Sequence, residues 1–329
     1  MGKTKFLLIR EIGQGLWNEM HHVLTQLLVA EIMKRVPVVY WGKGSLYSSS
    51  DGSNAFEQFF QPVSGYSMHD LAKEEFSYCP ECWNSGNILD PAPMFPEGGK
   101  HAETGPLLKT NTDFCSRNIC LLPHTSCLLH DCNADVCVRD TYVDVEKVIP
   151  LIPEWHPLCG LNRRDLFYCL IQKYIRLQKE TQAFIDAFYE EHMKGASFLA
   201  VHIRSSDKIV EVRHLHELNS RYAAEIEKVL KENPGIRIFL MTDCIEILEE
   251  YKKRYGELLI HTDCKRVHKD GQGIHFHEYP DNKLKGFEII RDTWLAARCD
   301  FFIGNGYSYV SAAISELKEW KDDRIKLLY

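Results

Sequence analysis

Residues 202–208 read His-Ile-Arg-Ser-Ser-Asp-Lys and follow an apolar run that starts at Phe198. Alternate side chains of an extended strand share a face, so His202 and Arg204 point to one side. A planar guanidinium grips two phosphate oxygens at once, Lys208 adds a point charge, and the pair suits a diphosphate leaving group. The same residues also fit a structural arrangement, with Arg204 and Asp207 as an ion pair and His202 as a satisfied core histidine. A second loop, Gly304-Asn305-Gly306-Tyr307-Ser308, leads into a helix beginning near Tyr309. The first N–H groups and the dipole of that helix would face an anion; an ordinary tight turn accounts for the glycines equally well. Neither a three-glycine dinucleotide fingerprint nor a Gly-Lys-Ser/Thr phosphate loop is present, which disfavours a dehydrogenase or a P-loop kinase.

These loops need a frame. Apolar runs at 198–203, 236–241 and 301–303 alternate with helical spacing at 222–231, 245–255 and 287–299, the pattern of a doubly wound parallel sheet of Rossmann type. Each run ends in a polar loop, the middle one in Thr242-Asp243-Cys244. In such a sheet these ends share one edge, where ligands bind. A long helical pattern over 162–194 bridges the two halves of the chain. At the other end, Phe6 to Ile9, Gly13-Gln14-Gly15, Trp17 to Met33 and Pro37 to Trp41 form a βαβ unit. From 42 to about 157 the chain is rich in Ser, Gly, Pro, Asn and Cys and reads as irregular structure suited to acceptor recognition. We therefore expect two domains, 1–178 and 179–329.

The 329 residues suffice for two cores, and 45% hydrophobic with 26% charged residues is an ordinary globular composition. A net charge of −7 argues against broad nucleic-acid or anionic-membrane binding. The run at Phe6 is too short for a signal peptide or a bilayer span. Nine of the 12 cysteines fall between Cys79 and Cys169, but only Cys79 and Cys82 have zinc-ligand spacing. Reduced thiols, no metal and a cytoplasmic location are the expectation.

The motifs resemble a known family. His202 to Lys208, Phe239-Leu240-Met241-Thr242-Asp243, Leu284-Lys285-Gly286 with Asp292, and Cys299 to Gly304 with Ser308 are similar, in order, to those of the α1,6-fucosyltransferases. That family includes the rhizobial nodulation-factor and animal core fucosyltransferases, with protein O-fucosyltransferases more distant. Gly13-Gln14-Gly15-Leu16-Trp17-Asn18, Asn54-Ala55-Phe56, Phe59 to Val63 and Phe188 to His192 add a looser likeness. Between about 65 and 157 there is none.

The resemblance implies a two-domain GT-B-like α/β fold, a GDP-fucose donor in the C-terminal domain, a glycan acceptor, inversion at the anomeric carbon and no cofactor or metal. His202 and Arg204 would hold the diphosphate with help from Lys208. Asp292 and Ser308 would bind elsewhere on the nucleotide or phosphates. Asp243, Gly304, Asn305 and, from the N-terminal loop, Gly13, Gly15 and Asn18 complete the donor set. A metal-free inverting transfer needs cations for the leaving group and a carboxylate for the acceptor proton. Glu211 lies near the family's base once a one-residue gap is allowed, Glu217 is the second candidate, and Asp207 organises the loop.

Ser205, Cys244 and Tyr309 stand where relatives often carry an arginine, an acid and a glutamine, which leaves another GDP-deoxysugar open as donor. No segment resembles the extra module or membrane anchor of the animal enzymes, which points to a bacterial-type or cytosolic glycan. Two rival readings are a catalytically silent nucleotide-sugar-binding protein and a zinc-organised interaction protein built on Cys79 to Cys137.

Overall fold

The computed structural model describes residues 3–90, 133–206, 208–269 and 271–329, with the backbone alone at 210 and 211. The chain divides into two compact units, Met1–Gln178 and Lys179–Tyr329. None of the described helices is long and apolar enough to cross a membrane.

The first unit contains β1 (Phe6–Arg10), α1 (Leu16–Met33), β2 (Val36–Tyr40), α2 (Ala55–Phe59), α3 (Met68–Leu71), β3 (Tyr78–Cys79), β4 (Val136–Arg139) and α4 (Arg163–Tyr174). The strands form one parallel sheet in the order β2-β1-β4-β3. Phe6, Leu8, Val38, Val136 and Val138 make its core with Met68, Leu71 and Ile88. The βαβ start is as the sequence implies. The strand β4 lies inside the stretch read as irregular, because Val136-Cys137-Val138 is too short to declare itself until β1 pairs with it, Phe6 beside Val136.

The helical pattern over 162–194 proves to be two helices, α4 and α5 (Lys179–His192). No glycine or proline marks the break. Tertiary pairing imposes it: Leu177 bridges Phe60, the Gln178 N–H donates to Phe59 O at 2.8 Å, and the Gln61 N–H donates to Arg176 O at 2.7 Å. Ile175 is accordingly extended. Each helix still buries an apolar stripe, so periodicity alone hides the interruption.

The second unit continues with β5 (Phe198–Ile203), α6 (Lys208–Glu211), α7 (Leu215–Glu232), β6 (Arg237–Thr242), α8 (Ile245–Tyr255), β7 (Leu259–Ile260), α9 (Asn282–Arg298), β8 (Phe301–Asn305), α10 (Tyr309–Glu316) and β9 (Ile325–Leu328). All five strands are parallel in the order β7-β6-β5-β8-β9. The fully buried β5 is central, packed through Leu199, Val201 and Ile203 against Leu218, Tyr222 and Ile226 of α7. The chain moves outward from β5 to β7 and then returns to the other side of β5 as β8. The carboxyl edge between β5 and β8 is therefore a topological switch point, where open α/β sheets form a crevice.

In the first unit the loop between β1 and α1 is shaped by a buried acid. The carboxylate of Glu19 accepts the Ile12 N–H at 3.0 Å and the Gln14 N–H at 2.9 Å. Burial pushes this carboxyl up to about 8, against those hydrogen bonds, and the charge of Glu11 adds to the rise. Between its ordinary pKa of 4.5 and about 8 the folded chain thus holds a proton that the unfolded chain has lost. The stability from this group is complete below 4.5 and is lost as pH rises through about 8. Urea unfolding from about pH 5 to about pH 8 should accordingly show Glu19→Gln gaining stability relative to wild type as pH rises; a difference that stays flat with pH rules out titration of Glu19 in that range.

Candidate functional site

Arg204 leaves the carboxyl end of β5. The register pairs Ile203 with Thr242, so Asp243, the next residue along β6, stands beside Arg204. The Arg204 Nη1 donates to the Asp243 carboxylate and, at 3.0 Å, to Ser206 Oγ. The Ser205 N–H donates to Asp243 Oδ1 at 2.9 Å, and the Ser206 hydroxyl donates to Oδ2. Asn219 of α7 donates its amide to Arg204 O at 3.1 Å. These bonds hold Ser206 at a left-handed φ of 44°, unusual for a residue with a Cβ. Asp243 is thus an ion-pair partner of Arg204; Asp207 lies outside the described residues. Asp243, placed in the donor-binding set from sequence, organises the loop.

Lys208 opens α6, its N–H donating to Ser205 O at 3.1 Å. Glu211 closes that helix, and its side chain lies outside the described residues. Glu217 is exposed in the first turn of α7.

His202 reconciles its two sequence readings. It is buried, with Nδ1 2.7 Å from Ser311 Oγ of α10, and its backbone carbonyl accepts the Tyr222 hydroxyl at 2.8 Å. Burial, reinforced by the charge of Arg204, lowers its pKa to about 3. The ring is neutral near pH 7 and offers hydrogen bonding beside Arg204, with no second positive charge.

Gly304 lies within β8, level with His202. A Cβ there would sit 2.5 Å from the Phe302 ring and 2.7 Å from Ser311 Oγ. Close approach of α10 to the strand, rather than a turn, demands the glycine. Asn305 is fully buried; its Oδ1 accepts the Tyr307 N–H at 2.8 Å, and its Nδ2 has no partner among the described residues. A buried orphan donor at a strand's carboxyl end is the kind of group a ligand satisfies. Ser308 caps α10 by position, with no side-chain bond to the helix.

Asp292 sits on α9, buried, accepting the Thr262 hydroxyl at 2.8 and 3.0 Å. Burial raises its pKa, while the neighbouring Arg291 opposes the rise. Sequence reasoning passed over Arg266, which clamps the loop after β7 by donating to Cys264 O and Thr262 O, each at 2.9 Å. The run Cys264-Lys265-Arg266 after an apolar segment was the available signal. Asp292 and Thr262 thus mark the β7 flank of the edge and Asn305 its β8 flank, with Arg204 between.

In the N-terminal unit, Gly13 has φ +70°, Gly15 precedes α1, and the Asn18 N–H donates to Gly15 O at 2.9 Å. Asn18 Oδ1 is buried without a partner among the described residues. Because Glu19 takes the N–H groups of Ile12 and Gln14, this loop is not an open anion nest. No cluster of three or more metal-ligating side chains occurs among the described residues. Cys115, Cys120, Cys127 and Cys132, with His124 and His130, lie outside them.

Residues 166–322 match the family model of the alpha-(1,6)-fucosyltransferase N- and catalytic domains. Nodulation protein Z of Sinorhizobium fredii (strain NBRC 101917 / NGR234) is 24% identical over 286 residues, covering 83% of this chain and 79% of the relative. The crystal structure of NodZ alpha-1,6-fucosyltransferase co-crystallized with GDP aligns over 95% of this chain and 92% of its own, with TM-score 0.59 and 20% identity. POFUT1 in complex with GDP-fucose aligns over 100% and 99%, with TM-score 0.54 and 14% identity. These structures share the fold, a GT-B-like α/β architecture with parallel sheets.

Two outcomes test the geometry. The ring resonances of His202 should not shift between about pH 5 and about pH 8, where an ordinary histidine titrates; a shift there would mean that the ring is not held neutral. Gly304→Ala should lose about 1–3 kcal/mol in urea unfolding through overpacking against Ser311 and Phe302, and full stability would show that α10 does not press on β8.

Proposed function

We infer, from a chain that resembles the α1,6-fucosyltransferases in both sequence and fold, that it transfers fucose from GDP-fucose to a hydroxyl of a glycan acceptor. The observation that carries this reading is the Arg204 loop, held by Asp243 at the switch point of the C-terminal sheet, inside the segment the family model matches. The sugar is inverted at its anomeric carbon and no metal is required. A negative protein with no membrane-spanning helix among its described residues suits a soluble donor in the cytoplasm.

The bond from the anomeric carbon to the β-phosphate oxygen breaks, and GDP leaves with the electron pair. Arg204 meets the charge that develops, Lys208 adds a second cation, and neutral His202 and the amide of Asn305 offer hydrogen bonds. Asp292 and Ser308 contact the nucleotide or phosphates. As the new bond to the acceptor oxygen forms, its proton passes to a carboxylate, assigned to Glu211 with Glu217 as the alternative. The thiol of Cys244 donates to Glu246 at 3.1 Å, so it does not replace the acid relatives carry there. This departure keeps a related GDP-deoxysugar as the second donor to assay.

GDP should stabilise the fold in the presence of a chelator, by about 2.7 kcal/mol at a hundredfold excess over Kd. No thermal shift with GDP alongside a shift with another nucleoside diphosphate would reject guanine. The two charged roles separate by timing. Arg204→Ala should weaken GDP binding and slow transfer, with little recovered by Arg204→Lys because an ammonium cannot make the bidentate grip. Glu211→Gln should keep GDP affinity while kcat falls by about 10² to 10⁴; normal turnover in that variant removes Glu211 and moves the assignment to Glu217.

A further inference from the structure

The carboxyl edge of the first sheet carries an acid that the donor site does not use. The chain runs from β1 outward to β2 and returns on the other side of β1 as β3 and β4, so the strand order reverses between β1 and β4. Open α/β sheets bind ligands at such a point. Arg10 pairs with Tyr40 and Ile9 with Arg139, which puts Asp140, the first residue past β4, level with Arg10 and Tyr40. Alternation sets all three on the face whose core is Phe6, Leu8, Val38, Val136 and Val138, a core that Trp83 shares. The apolar face thus ends in a polar rim.

The charges of this rim are unequally served. Arg10 is fully buried, with the ring centroids of Tyr40 and Trp83 at 5.3 and 5.0 Å from its guanidinium carbon. It is engaged by Glu11 at 3.1 Å and by the carbonyls of Ile88 and Asp90, each at 2.6 Å. Glu11 is buried as well and accepts the Gly42 N–H at 3.1 Å. The half-buried Asp140 has no such cation: among the described residues its carboxylate accepts only its own N–H and, at 3.3 Å, the Thr141 hydroxyl. Burial pushes this carboxyl up, Arg10 opposes the rise and Glu11 adds to it. A carboxylate can accept about four hydrogen bonds, so much of its capacity is unfilled. The buried indole N–H of Trp83 has no partner among the described residues. An orphan donor and an underused acceptor bordering the same arginine are groups that a ligand would complete.

We propose that Asp140 and the Trp83 indole N–H bind hydroxyl groups of a neutral sugar of the acceptor glycan, Asp140 accepting and Trp83 donating. The proposal rests on the glycosyl-transfer reading, which supplies the sugar. Two carboxylates against one guanidinium leave the rim negative, which disfavours an anion, and a cation would leave the indole N–H unserved. A hydroxyl both donates and accepts, so neighbouring hydroxyls of one sugar satisfy both groups.

Methyl β-glucopyranoside is the probe, and the Trp83 indole N–H resonance of the full chain, assigned by its loss in Trp83→Phe, is the readout. The sugar should shift that resonance in wild type, and in Asp140→Asn its Kd should rise about tenfold or more, the loss of a charge-assisted hydrogen bond. Stability is the second readout. The contribution of Asp140 is complete below its ordinary 3.8 and is lost as pH rises through the raised value, so near neutral pH Asp140→Asn should be at least as stable as wild type in urea. A carboxylate that merely supported the fold would lose stability on replacement. The thermal shift with GDP should be the same in both proteins. The proposal is overturned, with the donor reading intact, by no response of wild type to the sugar, by equal affinity in Asp140→Asn, by a destabilised Asp140→Asn, or by methylammonium moving the resonance in place of the sugar. Failure of the donor reading shows separately, as no GDP shift in wild type.

Discussion

The ion pair between Arg204 and Asp243 is the contact on which the C-terminal site turns. Neither residue is in regular structure; each is the first residue beyond a parallel strand, and the pairing of β5 with β6 brings them side by side. With both side chains mostly buried, Asp243 accepts from one guanidinium nitrogen and from two further donors of the loop. Removing one partner of such a pair strands the other's charge, so the loop's left-handed turn and the position of the cation stand or fall together.

The central strand gives the pair its meaning. Because β5 is flanked by β6 and β8, Arg204 lies at the switch point of the sheet, a position that neither edge strand could provide. Three kinds of polar group meet along this edge: a paired cation, a histidine kept neutral by burial, and an amide donor without a partner among the described residues. That mixture suits an anion whose charge grows during reaction, since neutral donors beside a cation add stabilisation without adding to the repulsion among like charges.

Much of this frame was legible in the sequence. The strands β5, β6 and β8 show as apolar runs because both faces of a central parallel sheet are buried, and the helices between them show their period. The edge strands β7 and β9 and the short β4 escaped, having too few residues to form a pattern. The pairing of Arg204 with Asp243 escaped for another reason: chain-local reasoning looks to neighbours in sequence, whereas register brings up an acid 39 residues away. Gly304 was read as part of an anion-binding loop or a tight turn, whereas the constraint on it, the proximity of Ser311, belongs to packing. The break at Ile175 likewise comes from pairing with Phe60, which helical periodicity does not encode.

The sequence separations within the site bear on how the protein is made. Asp243 emerges from the ribosome 39 residues after Arg204, so the ion-paired half of the loop can assemble early, on β5 and β6 alone. Ser311, which fixes the His202 ring, arrives 109 residues after it, and β8 must first insert on the other side of β5. During synthesis, then, the exposed β8-facing edge of β5 waits for nearly a third of the chain, a template that a chaperone or a neighbouring nascent chain can reach before its own partner does.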